Sequence, residues 1–156
     1  MKILTFIVIA LALMGCTTTT TTTNSALEEY RDGMESGAAA STALLGTVVC
    51  ESLNPSLPAC DKMQNAMLVT SVSAIRNLSD YEVTALMAKD KDYKAAMKQG
   101  SIIFSSSVGL PMCKALHLTT SACSDFRDDI EKTSFDFIDN LSPEVIERLK
   151  KDRPKA

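Results

Sequence analysis

The feature that most constrains the fold of this chain is an internal duplication with an offset of 63 residues. When the sequence is shifted against itself by 63, 15 positions are identical and no gap is needed. A segment that occurs twice folds as one unit twice, because each copy must bury the same apolar face. We therefore predict two copies of one unit, residues 27–89 and 90–152, which together form one globular domain. The most informative identities pair Cys50 with Cys113, Cys60 with Cys123, and Asn77-Leu78-Ser79 with Asn140-Leu141-Ser142.

Apolar side chains recur at spacings of three and four in both units, which predicts α-helices. Each unit is expected to contain a long helix (Leu27–Cys50 in unit one), a loop bracketed by cysteines, a second helix and a short third helix. Aromatic residues make up only 5% of the chain and tryptophan is absent, which favours packed helices over strands. The predicted fold class is all-α: a small bundle of two duplicated helical hairpins.

Four helical stripes are expected to face the core. In the first helices they are Tyr30, Met34, Ala38, Ser41, Leu45 and Val48, with Tyr93, Met97, Ser101, Phe104 and Val108 in unit two. In the second helices they are Met63, Met67, Thr70, Ala74 and Leu78, with Phe126, Ile130, Thr133, Phe137 and Leu141 in unit two.

Residues at the predicted helix ends support the same boundaries. Ser79 and Glu82 have the spacing of a capping box, in which each side chain bonds the other residue's backbone N–H. In unit two Ser142 is followed by Pro143, and proline is favoured as the first helical residue. Pro111 is expected to shorten the long helix of unit two or to bend its end.

Four cysteines remain when Cys16 is set aside, and they are expected to form disulfides. They can pair in three ways, and the repeat favours Cys50–Cys60 with Cys113–Cys123 because both copies then have the same environment. Zinc sites usually place cysteines two to four residues apart, and redox pairs are usually Cys-x-x-Cys. The nine intervening residues fit neither pattern. We predict two disulfides within the units, each closing the open end of a hairpin.

The first residues have the pattern of an export signal. Lys2 precedes an apolar run, residues 3–14, that is too short to span a bilayer and is typical of a signal peptide. The run ends in Leu13-Met14-Gly15-Cys16, which resembles the lipobox of bacterial lipoproteins. The resemblance implies that residues 1–15 are cleaved and that the Cys16 thiol takes a diacylglyceryl group. Since Thr17 is not aspartate, it also implies an outer-membrane anchor facing the periplasm.

Residues 16–26 are expected to form a flexible tether behind the lipid. They contain seven consecutive threonines, and such a polar, low-complexity stretch has no apolar surface to bury. Several acyl chains at one cysteine would anchor the protein stably, since each buried methylene contributes about 0.8 kcal/mol. The tether would then hold the helical domain clear of the lipid headgroups.

Residues that could perform chemistry are sparse. The single histidine, His117, lies in the loop of unit two, and we expect it to be solvated. Phosphate-binding loops and the motifs of zinc proteases and serine hydrolases do not occur in the sequence. With a net charge of -3 and no basic stripe, nucleic-acid binding is not expected either. An acidic cluster without the calcium-loop pattern is interpreted as favourable charge near a helix N-terminus: Asp125, Asp128, Asp129 and Glu131. We expect no enzyme activity, cofactor or metal.

Three functions are compatible with these features. The first is a non-enzymatic interaction module that assists an envelope protein; in size, anchoring and helicity it resembles the pilotins of secretins. The second is an immunity or exclusion lipoprotein that neutralises a toxin or an incoming element. The third is a carrier of a small apolar ligand. An apolar groove would favour the first, an acidic patch the second, and an internal cavity the third.

Overall fold

The computed structural model describes the backbone of residues 3–53 and 57–151 and the side chains of residues 25–51 and 58–151. Within these ranges the chain is helical and contains no strand, which confirms the predicted all-α class. The long helix of unit one was predicted to begin at Leu27, but α1 begins at Ile3, so the backbone of the predicted tether, residues 16–26, is helical and continuous with it. The side chains of the predicted signal peptide, Cys16 and the threonines lie outside the described ones. The elements are α1 (Ile3–Leu53), α2 (Leu57–Arg76), α3 (Asp80–Met87), α4 (Tyr93–Phe104), a π-helical segment (Ser105–Gly109), α5 (Leu110–Ala115), α6 (Thr120–Asp139) and α7 (Pro143–Lys151).

The helix boundaries repeat with the same offset as the sequence. Both ends of α6 lie 63 residues after the ends of α2, and α7 begins 63 residues after α3. Disulfides Cys50–Cys60 and Cys113–Cys123 close the two hairpins, with Cα atoms 5.7 and 5.6 Å apart. The predicted duplicated hairpin and its two disulfides are therefore confirmed.

The two units meet where α1 crosses α4, backbone against backbone. A Cβ atom on Gly37 would overlap the carbonyl group of Met97, and a Cβ atom on Gly100 would overlap that of Met34. Gly37 and Met34 are 63 residues from Gly100 and Met97, so the crossing has approximate twofold symmetry. The Ser101 hydroxyl also donates to the Gly37 carbonyl across it, at 3.4 Å.

The residues that face this crossing form the centre of the core. All five predicted positions in the long helix of unit two are buried, as are the first five of the six predicted in α1. The exception is Val48, whose side chain is 59% exposed. The predicted stripe was therefore wrong at its last residue, which lies beyond the crossing and faces solvent.

The predicted stripes of the second helices are wrong by one position over part of their length. In α6 the side chains buried beyond the disulfide residue Cys123 are Ile130, Ser134 and Ile138, whereas Thr133 and Phe137 are exposed. α2 behaves in the same way, with Ser71 and Ile75 buried. Residues spaced by four form a ridge that packs into the groove of a crossing helix, so a spacing of four is selected over the average helical period.

A cation at the same position of each unit binds the C-terminal end of the second helix. Arg31 donates to the carbonyls of Ile75 (3.2 Å) and Leu78 (2.8 Å). Its equivalent, Lys94, donates to the carbonyls of Asp139 (3.0 Å) and Leu141 (2.8 Å). These carbonyls lie at or just beyond the C-terminal end of the second helix, where the helix dipole is negative, so a cation stabilises them.

Beside each of these contacts the first and second helices form an ion pair, and the acidic and basic partners change places between the two units. Glu35 pairs with Arg76 at 2.8 Å in unit one, and Lys98 pairs with Asp139 at 2.7 Å in unit two. All four positions correspond under the offset of 63. Two changes of sign that preserve an attraction indicate that the copies diverged within one shared architecture.

The long helix of unit two contains a π-helical turn instead of ending early at Pro111. The Leu110 N–H donates to the carbonyl of Ser105, five residues back, and the helix continues to Ala115. In a regular α-helix the proline ring would clash with the carbonyl of Ser107. The wider turn places that carbonyl elsewhere, so the proline changes the local pitch rather than shortening the helix.

The predicted caps of the short helices are present. Ser79 and Glu82 form the capping box before α3, and the hydrogen bond from the Ser79 hydroxyl holds the pKa of Glu82 below its ordinary value. In unit two Pro143 is the first residue of α7, and the Ser142 hydroxyl accepts a hydrogen bond from the Val145 N–H at 3.4 Å.

Replacing Gly37 or Gly100 by alanine is expected to lower the free energy of unfolding by about 3 kcal/mol, because the new methyl group forces the two backbones apart. Urea denaturation followed by helical circular dichroism measures this. Gly109→Ala is the matched control, since its Cβ would meet only the flexible end of Ile130 at 3.3 Å. Equal losses in all three variants would contradict the crossing as the point of closest approach.

Candidate functional site

An apolar groove lies between α1 on one side and α6 and α7 on the other. It has a volume of about 640 Å³, and a smaller recess of about 190 Å³ adjoins it, with Leu44 and Val48 lining both. We call the two together the α1/α6 groove. The main part is lined by Ser36, Ala39, Ala40, Ala43, Leu44, Thr47, Val48, Met97, Phe137, Leu141, Val145 and Leu149.

The duplication explains why this groove is open. Its wall on α1 carries Ala39 and Ala40, and the equivalent residues of unit two are Ile102 and Ile103. Ile103 packs against the main core cluster on its own side of the bundle. Two aliphatic side chains are thus present in one half and reduced to methyl groups in the other, which leaves apolar surface uncovered beside α1.

Large apolar side chains are exposed along the groove. Phe137 is 43% exposed and Val48 is 59% exposed, and both were predicted to lie in the core. Val145 and Leu149 of α7 are exposed at the end of the groove nearest that helix. The sequence signal that could have revealed this surface is the contrast between the alanines of α1 and the isoleucines of α4, because it marks where the two copies cannot pack alike.

The two sides of the groove differ in charge. α1 has no charged residue between positions 36 and 50, so its side of the groove is neutral. On α6, Asp129 lines the smaller recess, and Asp125 and Asp136 are exposed at helical spacing on the same side, where Lys132 is the one cation among these described positions and leaves a net charge of -2. No ion pair to any of these three carboxylates occurs among the described residues. The α6 side of the groove is therefore acidic.

The predicted acidic cluster is divided by the fold. Asp128 pairs with Arg127 at 2.9 Å, and Glu131 accepts a hydrogen bond from Ser105 at 2.6 Å, on the side of α6 away from the groove. Only Asp125 and Asp129 face the groove side. In the part of the chain with described side chains there is no group of three acidic, histidine or cysteine residues arranged to hold a metal ion.

The remaining predicted residues lie away from the groove. The four cysteines are in the disulfides at the far end of the hairpins, and Cys16 precedes the described side chains. His117 is exposed in the loop after α5, as expected, where its backbone has φ 57°. Among the described helices, none is both long and apolar enough to cross a bilayer.

Replacing Ile102 and Ile103 together by alanine is expected to open a second groove and to lower the free energy of unfolding by about 2 kcal/mol, the lower end of the range for losing buried aliphatic groups. Chemical denaturation measures the loss. The Ala66→Ile/Ala85→Ile variant, at exposed positions of α2 and α3, should leave stability within about 0.5 kcal/mol of the parent. If the Ile102→Ala/Ile103→Ala variant also stays within about 0.5 kcal/mol of the parent, these two isoleucines do not fill the equivalent face of unit two.

His117→Gly is expected to raise the free energy of unfolding by about 1 kcal/mol, since His117 holds the left-handed conformation that ends α5. The motif is closed by hydrogen bonds from His117 N–H to the Lys114 carbonyl (3.0 Å) and from Leu118 N–H to the Cys113 carbonyl (3.4 Å). Thermal or urea unfolding measures the gain. His117→Ala should give no gain, and an equal gain there would argue against the conformational cause.

Comparison with known proteins adds no assignment, because no protein-family model, no curated protein and no solved structure matches this chain. The groove, its charges and the pattern of the first residues are therefore the observations that bear on function.

Proposed function

We propose that this chain is a lipid-anchored, non-enzymatic binding module of the bacterial envelope, which holds a partner protein in the α1/α6 groove. Cys16 carries the lipid, residues 17–26 form the tether, and the domain faces the periplasm from the outer membrane. The observation that carries the proposal is the open apolar groove, whose counterpart has two isoleucines in place of its alanines. Contiguous apolar surface on a single domain commonly marks a site for a partner.

The shape of the groove favours a protein partner over a small apolar ligand. A carrier surrounds its ligand, and most of the ligand surface is then buried. Here Phe137 and Val48 are about half exposed, and the groove is bounded by helices on two sides only. A segment of another protein can cover such a trough and contact both α1 and α6.

The acidic side of the groove favours a second candidate, an immunity lipoprotein that neutralises a basic toxin. Asp125, Asp129 and Asp136 would attract a cationic target and speed its association. The anchoring and the groove would be the same in both cases. The two candidates differ in the origin of the partner: an envelope component of the same cell, or an effector that arrives from outside.

Site-specific photocrosslinking in living cells tests the proposal. A benzoyl-phenylalanine residue is placed in the groove at Leu44 or Phe137, and for comparison at Val69 or Tyr81, which are exposed on α2 and α3. We expect one discrete protein adduct from both groove positions and none from the other two. Adding Cys16→Ala should reduce the adduct, because the unanchored domain no longer stays at the membrane.

The groove-filled variant Ala39→Ile/Ala40→Ile should abolish the adduct, and Ala66→Ile/Ala85→Ile should leave it unchanged. Equal adducts at all four positions, or none in the groove, would overturn the proposal. An adduct with a lipid instead of a protein would also overturn it, in favour of the carrier. The identity of a protein adduct separates the adaptor from the immunity protein.

A further inference from the structure

The shape of the α1/α6 groove specifies the form of the segment that it accepts. Along α6 the groove runs from Phe126 to Phe137, about 16 Å or three helical turns. Its floor is apolar over this length, with Leu44 near the middle and Leu141 at one end. A helix with an apolar stripe at every third or fourth position covers such a floor with successive side chains.

The equivalent positions of the other unit indicate which side chains the groove can hold. Ile102 and Ile103 occupy the positions of Ala39 and Ala40, so in unit two the wall carries two branched aliphatic side chains that α1 lacks. The groove beside α1 is short of aliphatic groups of this size. Leucine or isoleucine side chains from a partner helix would replace them.

The charges beside the groove decide which helix is preferred. The acidic residues Asp125, Asp129 and Asp136 follow one another at spacings of four and seven along the α6 side only, and the exposed Lys132 lies between the last two, so this flank carries three negative charges and one positive charge. At the α7 end, Glu144 and Arg148 are opposite in sign and largely cancel. A partner helix therefore faces a flank of net charge -2 on the α6 side, from three aspartates and Lys132, and the neutral surface of α1 on the other.

On this basis, and resting on the proposed function, we propose that the α1/α6 groove binds an amphipathic helix with an aliphatic stripe and lysine or arginine residues along one flank. The aliphatic stripe fills the space beside Ala39 and Ala40. The basic flank lies over the three aspartates of α6. An acidic helix with the same apolar stripe is repelled there, so charge selects among helices that fit equally well.

Fluorescence anisotropy with designed peptides tests this inference on the full chain reconstituted in phosphatidylcholine nanodiscs. The probe is a labelled helical peptide with leucine at every third or fourth position and lysine along one flank. One comparison peptide has glutamate in place of lysine, and another has the same composition with the leucine stripe scrambled. Empty nanodiscs correct for binding to lipid.

We expect the lysine peptide to bind and the other two to bind at least about ten-fold more weakly. Three exposed charge contacts together account for a factor of about ten, so Asp125→Asn/Asp129→Asn/Asp136→Asn should weaken the lysine peptide by that factor. Glu28→Gln/Asp80→Asn/Glu147→Gln removes the same charge from other faces and should change little. Added salt should weaken the lysine peptide, because exposed charges are screened.

The groove-filled variant Ala39→Ile/Ala40→Ile should lose binding of the lysine peptide, while Ala66→Ile/Ala85→Ile retains it. If the lysine and glutamate peptides bind equally well and both lose binding when the groove is filled, the preference for a basic helix is wrong, but the groove remains a docking site. If no peptide binds but photocrosslinks still form at Leu44 and Phe137, the inference of a helical partner is wrong, and the proposal of a partner protein in the groove stands. Binding of the lysine peptide that survives filling would overturn the basic helix in this groove, and the photocrosslinks at Leu44 and Phe137 would still decide whether the groove holds a partner.

Discussion

The crossing of α1 and α4 is the contact on which the rest of the structure depends. Gly37 and Gly100 let the two backbones touch, and each lies against the carbonyl group of a methionine from the other unit. Because the helices are this close, the side chains beside the crossing are buried from both sides, and each second helix can lie against its own long helix. The disulfides, the cations on the helix ends and the exchanged ion pairs then hold each hairpin in that position.

Because of this crossing, a sequence difference between the two copies changes the surface on one side of the bundle only. Approximate twofold symmetry sets two equivalent faces on opposite sides of the bundle, so a change in one copy has a direct counterpart in the other. Ile103 on α4 packs against the core, whereas its counterpart on α1, Ala40, lines an open groove together with Ala39. A symmetric core thus supports an asymmetric surface, and the open face is next to the more acidic of the two second helices.

Much of the fold could be predicted because it depends on local or repeated patterns. Helices, caps and the pairing of Cys50 with Cys60 follow from period, spacing and the equivalence of the copies. The errors have one physical origin, since they concern contacts between helices. Periodicity alone allowed Phe137 in the core stripe, but a ridge of residues spaced by four buries Ile138 instead. The π-helical turn before Pro111 likewise depends on how the chain accommodates the proline ring while the helix continues.

The sequence by itself determined that the chain is helical, that it is duplicated and that each copy is closed by a disulfide, because each of these follows from residue types at set spacings. It also carries the pattern of a lipid anchor at Cys16. Only the tertiary structure decided which apolar residues are covered. The sequence pattern does not distinguish a covered Phe137 or Val48 from an exposed one. Phe137 is exposed because α1 places Ala39 and Ala40 rather than larger side chains on its side of the groove, and Val48 is exposed because it lies beyond the crossing. That is a property of two helices brought together, so it becomes visible only when both are in place.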